Sequence, residues 1–300
     1  MTTPTQRIGF IGLGTMGAPM ALNLLRKGFP LTVSARSRAV GRLVAAGAQT
    51  AASPKAIAAA SDCVITMLPE PEHVETAVGG PDGIAAGLRP DAVYIDMSTI
   101  DPATTRRLGG LVAACGAHMI DCPVGKTAEH AVHGTLTLMA GGPEDIVARV
   151  RPILAAMGTD FFHCGPLGSG VTLKLVNNLL AASIHAANVE ALVAGVASGL
   201  SPEFMLEVFR TTMAWNASLA NGMPKRGLAG NFEPGFMVRL GQKDARLAVG
   251  MSARLGLRTP VGDGTLATLT ECLAAGYGDE DVAAMLKLRE QAAGVEVRLK

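Results

Sequence analysis

Short apolar runs alternate with stretches of helical spacing from Ile8 to about Cys164. The runs at 7–11, 31–35, 63–67, 92–96, 117–121, 135–140 and 160–163 read as strands. Between them, stretches such as Ala18 to Lys27 and Ala103 to Cys115 repeat apolar residues at the helical period. This alternation predicts crossover helices packed on a mostly parallel sheet. After Gly165 the texture changes. Val171 to Gly199 is rich in Ala and Leu, lacks proline and has no internal glycine before Gly195, which predicts one long, largely buried helix. Helices are expected at 202–213, 242–255, 263–275 and 279–299, parted by turns at Met223-Pro224, Pro234-Gly235 and Thr259-Pro260. The expected architecture is a doubly wound α/β N-terminal domain over residues 1–165 and an all-α C-terminal domain over 166–300, joined by the long helix.

Composition narrows the function. The 300 residues are 49% hydrophobic and 17% charged, enough to bury a sizeable core. With 26 Lys plus Arg against 25 Asp plus Glu, the net charge of +1 offers no basic field for a phosphate backbone. Aromatic residues make up 4%, too few for stacking platforms, so a nucleic-acid partner is not expected. The cysteines, Cys63, Cys115, Cys122, Cys164 and Cys272, form no C-x-x-C pair; neither a disulfide framework nor a thiolate zinc site is indicated, and a reducing cytoplasm fits. The histidines at 73, 118, 130, 133, 163 and 185 show no ligand spacing, so no metal is expected. The apolar run Ile8 to Leu25 has the look of a secretory h-region, but three glycines and Asn23 interrupt it. No run reaches about 18 uninterrupted apolar residues, and no membrane helix is expected.

The first strand runs into Gly12-Leu13-Gly14-Thr15-Met16-Gly17 and then a helix, which is G-x-G-x-x-G in the strand, turn and helix context that binds a dinucleotide. Gly12 permits the turn, Gly14 lets the backbone approach a pyrophosphate, and Gly17 allows close helix packing. An acid that would accept from an NAD ribose is missing at the end of the second strand, which reads Val33-Ser34-Ala35-Arg36-Ser37-Arg38. Arg36, Ser37 and Arg38 either neutralise a 2′-phosphate or are solvated loop residues. NADP is therefore the preferred cofactor, with NAD as the alternative.

Phe10 to Leu24, containing Gly12-Leu13-Gly14-Thr15-Met16-Gly17-Ala18-Pro19-Met20, resembles the signature of the β-hydroxyacid dehydrogenases, the family of 3-hydroxyisobutyrate dehydrogenase and tartronate semialdehyde reductase. Four further blocks resemble that family in order. They are Asp96-Met97-Ser98-Thr99-Ile100-Asp101-Pro102, Asp121-Cys122-Pro123-Val124 running to Gly134-Thr135-Leu136, Gly168-Ser169-Gly170 to Lys174 with Asn177-Asn178, and Gln242-Lys243-Asp244 with Leu247-Ala248. The resemblance spans nearly the whole chain and implies a Rossmann-type cofactor domain, a helical partner domain, a homodimer or homotetramer, and NAD(P)-dependent turnover of a small anionic semialdehyde or hydroxyacid.

One block departs from the family pattern. Most members follow Pro-Val with Ser-Gly-Gly, whereas this chain has Gly125-Lys126-Thr127. A Pro-Val-Gly turn followed by a basic residue and Thr is similar to the 3-sulfolactaldehyde reductases, where Arg stands at the place of Lys126. The resemblance implies that this segment receives the substrate's acid group. A sulfonate presents three oxygens and is always ionised, so an added cation suits it; a carboxylate needs fewer donors. The expected substrate is 3-sulfolactaldehyde, reduced to 2,3-dihydroxypropane-1-sulfonate, with a carboxylate semialdehyde such as methylmalonate, tartronate or succinic semialdehyde as the rival. A solvated Lys126 is the plainer alternative.

Lys174 and Asn178 stand four residues apart on the long helix and so project from one face. A positioned ammonium stabilises charge developing on a carbonyl oxygen and delivers a proton, and the resemblance implies that role for Lys174, with Asn178 orienting the lysine or the substrate. The bland alternative is a lysine snorkelling on an amphipathic helix. Ser98 and Thr99 precede Asp101-Pro102 in a helix-start arrangement, where hydroxyls cap backbone N–H groups. The resemblance places both beside the nicotinamide, with Ser98 also at the substrate. Lys243 is either part of a charged surface helix or, as the resemblance implies, at the cofactor. Met67, Leu68 and Pro69, where the strand 63–67 ends, complete the cofactor set. Cys122 reads as a small buried residue rather than a nucleophile. Two remoter alternatives are an imine reductase, which would need another donor in place of Lys174, and a non-catalytic NADP-sensing protein, which has no use for Lys174 and Asn178.

Overall fold

Residues buried on both faces of a sheet form its strands, because helices cover the sheet from either side. The computed structural model describes residues 6–300. Strand β1 (Ile8–Ile11) leads into helix α1 (Gly17–Arg26), and the pattern repeats through β2 (Leu31–Ser34), α2 (Val40–Ala45), β3 (Gln49–Ala51), α3 (Pro54–Ala59), β4 (Cys63–Thr66), α4 (Pro71–Gly79), β5 (Val93–Asp96), α5 (Pro102–Ala114) and β6 (His118–Asp121). There follow β7 (Val124–Gly125), α6 (Ala128–His133), β8 (Leu136–Gly141), α7 (Glu144–Leu154) and β9 (Gly158–Gly165). The sheet order is β3-β2-β1-β4-β5-β6-β8-β7, with β9 on the other side of β8. Strands β1 to β6 run parallel, β8 is antiparallel to β6 and β7, and β9 is parallel to β8.

Alternation along the strands divides the core. Ile8, Phe10, Cys63, Ile65, Val93 and Ile95 face one side, where they meet Met20 and Leu24 of α1 and Val147, Val150 and Leu154 of α7. Val64 and Tyr94 face the other side, with Ile57 of α3, Val74 and Val78 of α4, and Leu108 and Val112 of α5. Chain order reverses between β1 and β4. At such a switch point the loops leaving neighbouring strands part, and a crevice opens at the strands' carboxyl ends.

By internal contacts the chain divides into two compact units, the first ending at Lys174 and the second running Leu175–Lys300. Helix α8 (Ser169–Ala197) is followed by α9 (Pro202–Phe209), α10 (Met223–Lys225), α11 (Val238–Arg254), α12 (Pro260–Ala274) and α13 (Met285–Ala293). The core of the second unit joins Val189, Leu192, Leu206, Leu228, Val238, Leu269, Cys272 and Leu286. Helix α8 is long and apolar enough to cross a membrane, with a mean hydropathy of 1.5 over its most apolar window. Its polar side chains are nevertheless committed within the protein: Asn178 to Asp244, His185 to Ser218, and Asn188 to Asn216. Only 28% of that window is buried, and Leu173, Val176 and Leu180 are exposed, so the long helix is less buried than its composition predicts.

Several elements differ from the sequence expectation. Strands β3 and β7 carry no apolar run; Gln49 and Thr50 are exposed, and β7 is two residues long. The stretch 279–299 is helical only over Met285–Ala293, after a 3-10 turn at Val282–Ala284, and stops at Gly294 in the left-handed region (φ 65°). The helix expected at 202–213 ends at Phe209, and a π-turn occupies Ser218–Gly222. Met237 and Asp281 form an isolated antiparallel bridge in the otherwise helical unit.

Candidate active site

The loops leaving the carboxyl ends of β1, β4, β5 and β6 carry most of the residues singled out from sequence. Gly12 leaves β1 with φ 97°, and a side chain there would collide with the Met67 carbonyl at the end of β4. Met67 in turn donates its N–H to Ile11 at 2.9 Å, so the two loops are stitched together. A Cβ on Gly17 would collide with the Gly12 carbonyl, which fixes how closely α1 approaches the turn. Gly14 is different, for it is exposed and nothing lies within 4 Å of where its Cβ would be. Helix α1 starts without a side-chain cap and without an acid in its first turn. Its opening N–H groups and dipole therefore suit an anion, and the open space over Gly14 fits a pyrophosphate. Leu13 is buried, Met16 half-buried and Thr15 exposed. At the end of β2, Arg36 and Arg38 are exposed, and Ser37 Oγ accepts the Ala39 N–H at 3.2 Å. Leu68 is half-buried and Pro69 exposed.

Beneath these loops lies a buried polar chain. Thr66 Oγ1 lies 2.7 Å from the Tyr94 hydroxyl and donates to Asp96 Oδ1 at 2.8 Å. The same oxygen accepts the Ser98 N–H at 3.0 Å, and Ser98 Oγ accepts the Leu68 N–H at 2.9 Å. Burial and the nearby Asp96 carboxylate push the Tyr94 hydroxyl well above its ordinary pKa. The capping expectation for Ser98 needs correcting. Asp101 caps α5, accepting from Ala103 and Thr104 at 3.1 Å each, while Ser98 ties the β5 loop to the β4 loop. Thr99 is half-buried beside it.

The segment after β6 begins with Cys122, fully buried, its thiol pushed up by burial and by the Asp121 carboxylate, which leaves it unsuited to nucleophilic work. Gly125 pairs with Thr137 in the short β7 ladder. Lys126 then adopts the left-handed region, φ 75°. Its ammonium is engaged, donating to the Thr135 carbonyl at 2.9 Å and to Asp160 Oδ2 at 2.6 Å, and this cation holds the Asp160 carboxyl below its ordinary pKa. Lys126 is thus an ion-paired residue rather than a freely solvated one. Thr127 Oγ1 lies 2.9 Å from His130 Nδ1.

On α8, Lys174 and Asn178 are both half-buried. Asn178 Nδ2 donates to Asp244 Oδ2 at 2.6 Å, and Lys243 Nζ lies 3.1 Å from Asp244 Oδ1. Lys243 and Asp244 are buried, which rules out the charged-surface alternative for α11. Sequence reading missed Asp244 as the acid that holds both Asn178 and Lys243. It also passed over Asp96 and Asp121, although an acid closing an apolar strand was a visible signal in each case. Among the described residues no three His, Cys, Asp or Glu side chains gather as a metal site.

Known proteins resemble the chain over nearly its whole length. Residues 7–165 match the family model for the NAD-binding domain of 6-phosphogluconate dehydrogenase, and residues 168–289 match that for the NAD-binding domain of NADP-dependent 3-hydroxyisobutyrate dehydrogenase. The chain is 38% identical to 3-sulfolactaldehyde reductase of Escherichia coli K12, covering 98% of this chain and 99% of that one. It is equally 38% identical to 3-hydroxyisobutyrate dehydrogenase of Pseudomonas aeruginosa, over 85% of this chain and 88% of the relative. The solved structure of Mycobacterium tuberculosis 3-hydroxyisobutyrate dehydrogenase with L-serine superposes with a TM-score of 0.87 at 30% identity, covering 95% of this chain and 99% of that one. The chain belongs to the β-hydroxyacid dehydrogenase family and is an NAD(P)-dependent oxidoreductase acting on CH–OH groups.

Proposed function

We propose that the protein reduces a short anionic semialdehyde with NADPH, and that its preferred substrate is 3-sulfolactaldehyde, giving 2,3-dihydroxypropane-1-sulfonate. The observation that carries this reading is the Gly125-Lys126-Thr127 turn, where a cation and a hydroxyl replace the small turn that suffices for a carboxylate. A nicotinamide held at the cofactor site would supply the hydride for the substrate's C1 carbonyl. Lys174 donates the proton to the developing alkoxide, and Asn178, held by Asp244, orients the lysine or the substrate hydroxyl. Half-buried Thr99 would help hold the nicotinamide, and Ser98, assigned to nicotinamide and substrate by the family resemblance, is fully buried with its hydroxyl on the Leu68 N–H and so would act by positioning that loop. Gly125, Lys126 and Thr127 receive the sulfonate.

For the cofactor, residues Gly12 to Gly17 take the pyrophosphate, Met67, Leu68 and Pro69 cover the nucleotide, and Lys243 completes the set. Arg36, Ser37 and Arg38 take a 2′-phosphate, a reading supported by the lack of any carboxylate from Ser34 to Gly47. Residues 1–165 serve as the cofactor domain and 166–300 as the substrate and oligomerisation domain. The exposed apolar side chains of Val176, Leu180, Leu255 and Val261 support a homodimer or homotetramer. The free cysteines support residence in the cytoplasm.

Asp160 favours a second reading. With Nζ of Lys126 already 2.6 Å from a carboxylate, the turn carries no spare charge, and a carboxylate semialdehyde is the substrate that asks least of it. The two readings separate by kcat/KM with NADPH on 3-sulfolactaldehyde and on methylmalonate, tartronate and succinic semialdehydes. A sulfonate preference of about a hundredfold, near 2.7 kcal/mol, supports the first. Lys126→Ala should then cost the sulfonate about tenfold and the carboxylates little; equal losses, or a carboxylate preferred by the unaltered enzyme, establish the second.

A further inference from the structure

Asp121 closes β6 with no exposed surface. Its Oδ1 accepts the Gly168 N–H at 2.6 Å, and its Oδ2 accepts the Val171 N–H at 2.7 Å. Both donors belong to the opening of α8, where N–H groups have no partner within the helix. A carboxylate from a neighbouring strand thus performs the work of an N-cap with both oxygens, and it puts a full charge at the positive end of the helix dipole. The surroundings leave it no play. A Cβ on Gly141 would stand 2.5 Å from Oδ1, and a Cβ on Gly170 would stand 2.8 Å from Oδ2. Lys174 follows Val171 by three residues, one turn along the same side of the helix.

We propose that Asp121 is the positioning residue for the proton donor: its two-point hold sets the start and the rotation of α8, and with them the place of the Lys174 ammonium. This rests on the reading of Lys174 as proton donor. The hold requires the ionised carboxylate, since a proton on either oxygen turns an acceptor into a donor facing an N–H. Burial pushes the Asp121 carboxyl up to about 6, and the Asp96 carboxylate on β5 adds to the rise, against the pull of the two N–H groups. The other groups facing this corner are Cys122 beside it, Cys164 on β9, and Arg106 of α5 against Gly168. His163 of β9, whose Nε2 lies 2.9 Å from the Gly142 carbonyl, is a second source of any change near neutral pH.

The test is kcat at saturating NADPH between pH 5 and 8.5, with the aldehyde that the unaltered enzyme turns over fastest. The unaltered enzyme should lose about tenfold per pH unit below about 6, and His163→Gln should keep that limb. Asp121→Asn, nearly isosteric but able to accept only one N–H, should lower kcat tenfold or more at pH 7.5, bind NADPH as tightly as before, and lose the acid limb. In a Lys174→Ala background the same substitution should cost less than twofold more, because two residues acting through one group are not additive. The proposal fails if Asp121→Asn matches the unaltered enzyme, or if it costs the same factor in both backgrounds, as a plain helix cap would. Should Asp121→Asn not fold, an acid limb absent from the unaltered enzyme, or removed by His163→Gln, overturns it. Lys174→Ala with unchanged turnover would instead overturn the reading of Lys174 on which the proposal rests.

Discussion

Asp121 gives up its proton near pH 6 in the folded chain, against 3.8 ordinarily, so the fold holds that proton more tightly than the unfolded chain does. Its contribution to stability is therefore complete at acid pH below the ordinary value, and it is lost as pH rises from about 4 through 6. Thermal unfolding of the unaltered protein and of Asp121→Asn from pH 4 to 8 should show their Tm difference moving in the variant's favour over that span and levelling above about 7; a constant difference would contradict the raised value. Lys174 sits at the other end of the same argument. Lys174→Ala should lower kcat by two to four orders of magnitude with the cofactor's KM within a few-fold of normal, as loss of a positioned acid does. Asn178 and Lys126 were visible in the sequence, but their partners were not. Asp244 and Asp160 lie 66 and 34 residues away from Asn178 and Lys126 respectively, and no local spacing links residues so far apart.

At the scale of elements, the turn from β1 into α1 has no slack, because the places a Cβ would take on Gly12 and Gly17 are filled by the carbonyls of Met67 and Gly12. Gly17→Ala should push α1 away from the strand, raise the KM for NADPH at least tenfold and lower Tm, measured by steady-state kinetics and calorimetry. On the opposite face of the sheet, Tyr94→Phe removes a buried hydroxyl bonded to Thr66 and should cost about 1 kcal/mol in denaturant unfolding. Strands β1, β2, β4, β5 and β6 were legible because each is a short apolar run with buried residues on both faces. Strands β3 and β7 were not, since exposed Gln49 and Thr50 and a two-residue ladder have no period to detect. The last helix was overdrawn for a related reason. Apolar residues continue past Gly294, but the backbone turns left-handed there, and the packing of Val297 and Leu299 keeps the later residues apolar without a helix.

Across the whole molecule, the charges nearly cancel, +1 over 300 residues, so recognition of anions falls to local groups rather than to a general field. Arg36 and Arg38 are exposed after β2, and on the proposed reading they are the local groups offered to a 2′-phosphate. Arg36→Ala with Arg38→Ala should raise the KM for NADPH about 10- to 100-fold and leave that for NADH nearly unchanged; equal KM changes for both cofactors would remove the 2′-phosphate assignment. The cofactor half of the site was the more legible half, because a glycine turn and the residues following a strand are contiguous in sequence. The substrate half is assembled by tertiary contacts, and there the ion pair of Lys126 changed what its charge is free to do.

The turn that holds Lys126 touches little of what keeps the protein folded. Its side chains engage Thr135, Asp160 and His130, while the core beneath is closed by Cys122 and Val124. Substitutions at the exposed positions 126, 127 and 160 can accordingly accumulate with little loss of stability, whereas buried Gly125 is held by the β7 ladder; on the proposed reading a lineage can then drift from one acid group to another while its cofactor loop and proton donor stay untouched. On that reading such a chain is evolvable at one corner: the chemistry is inherited whole, and the choice of substrate is rewritten by a few exposed residues.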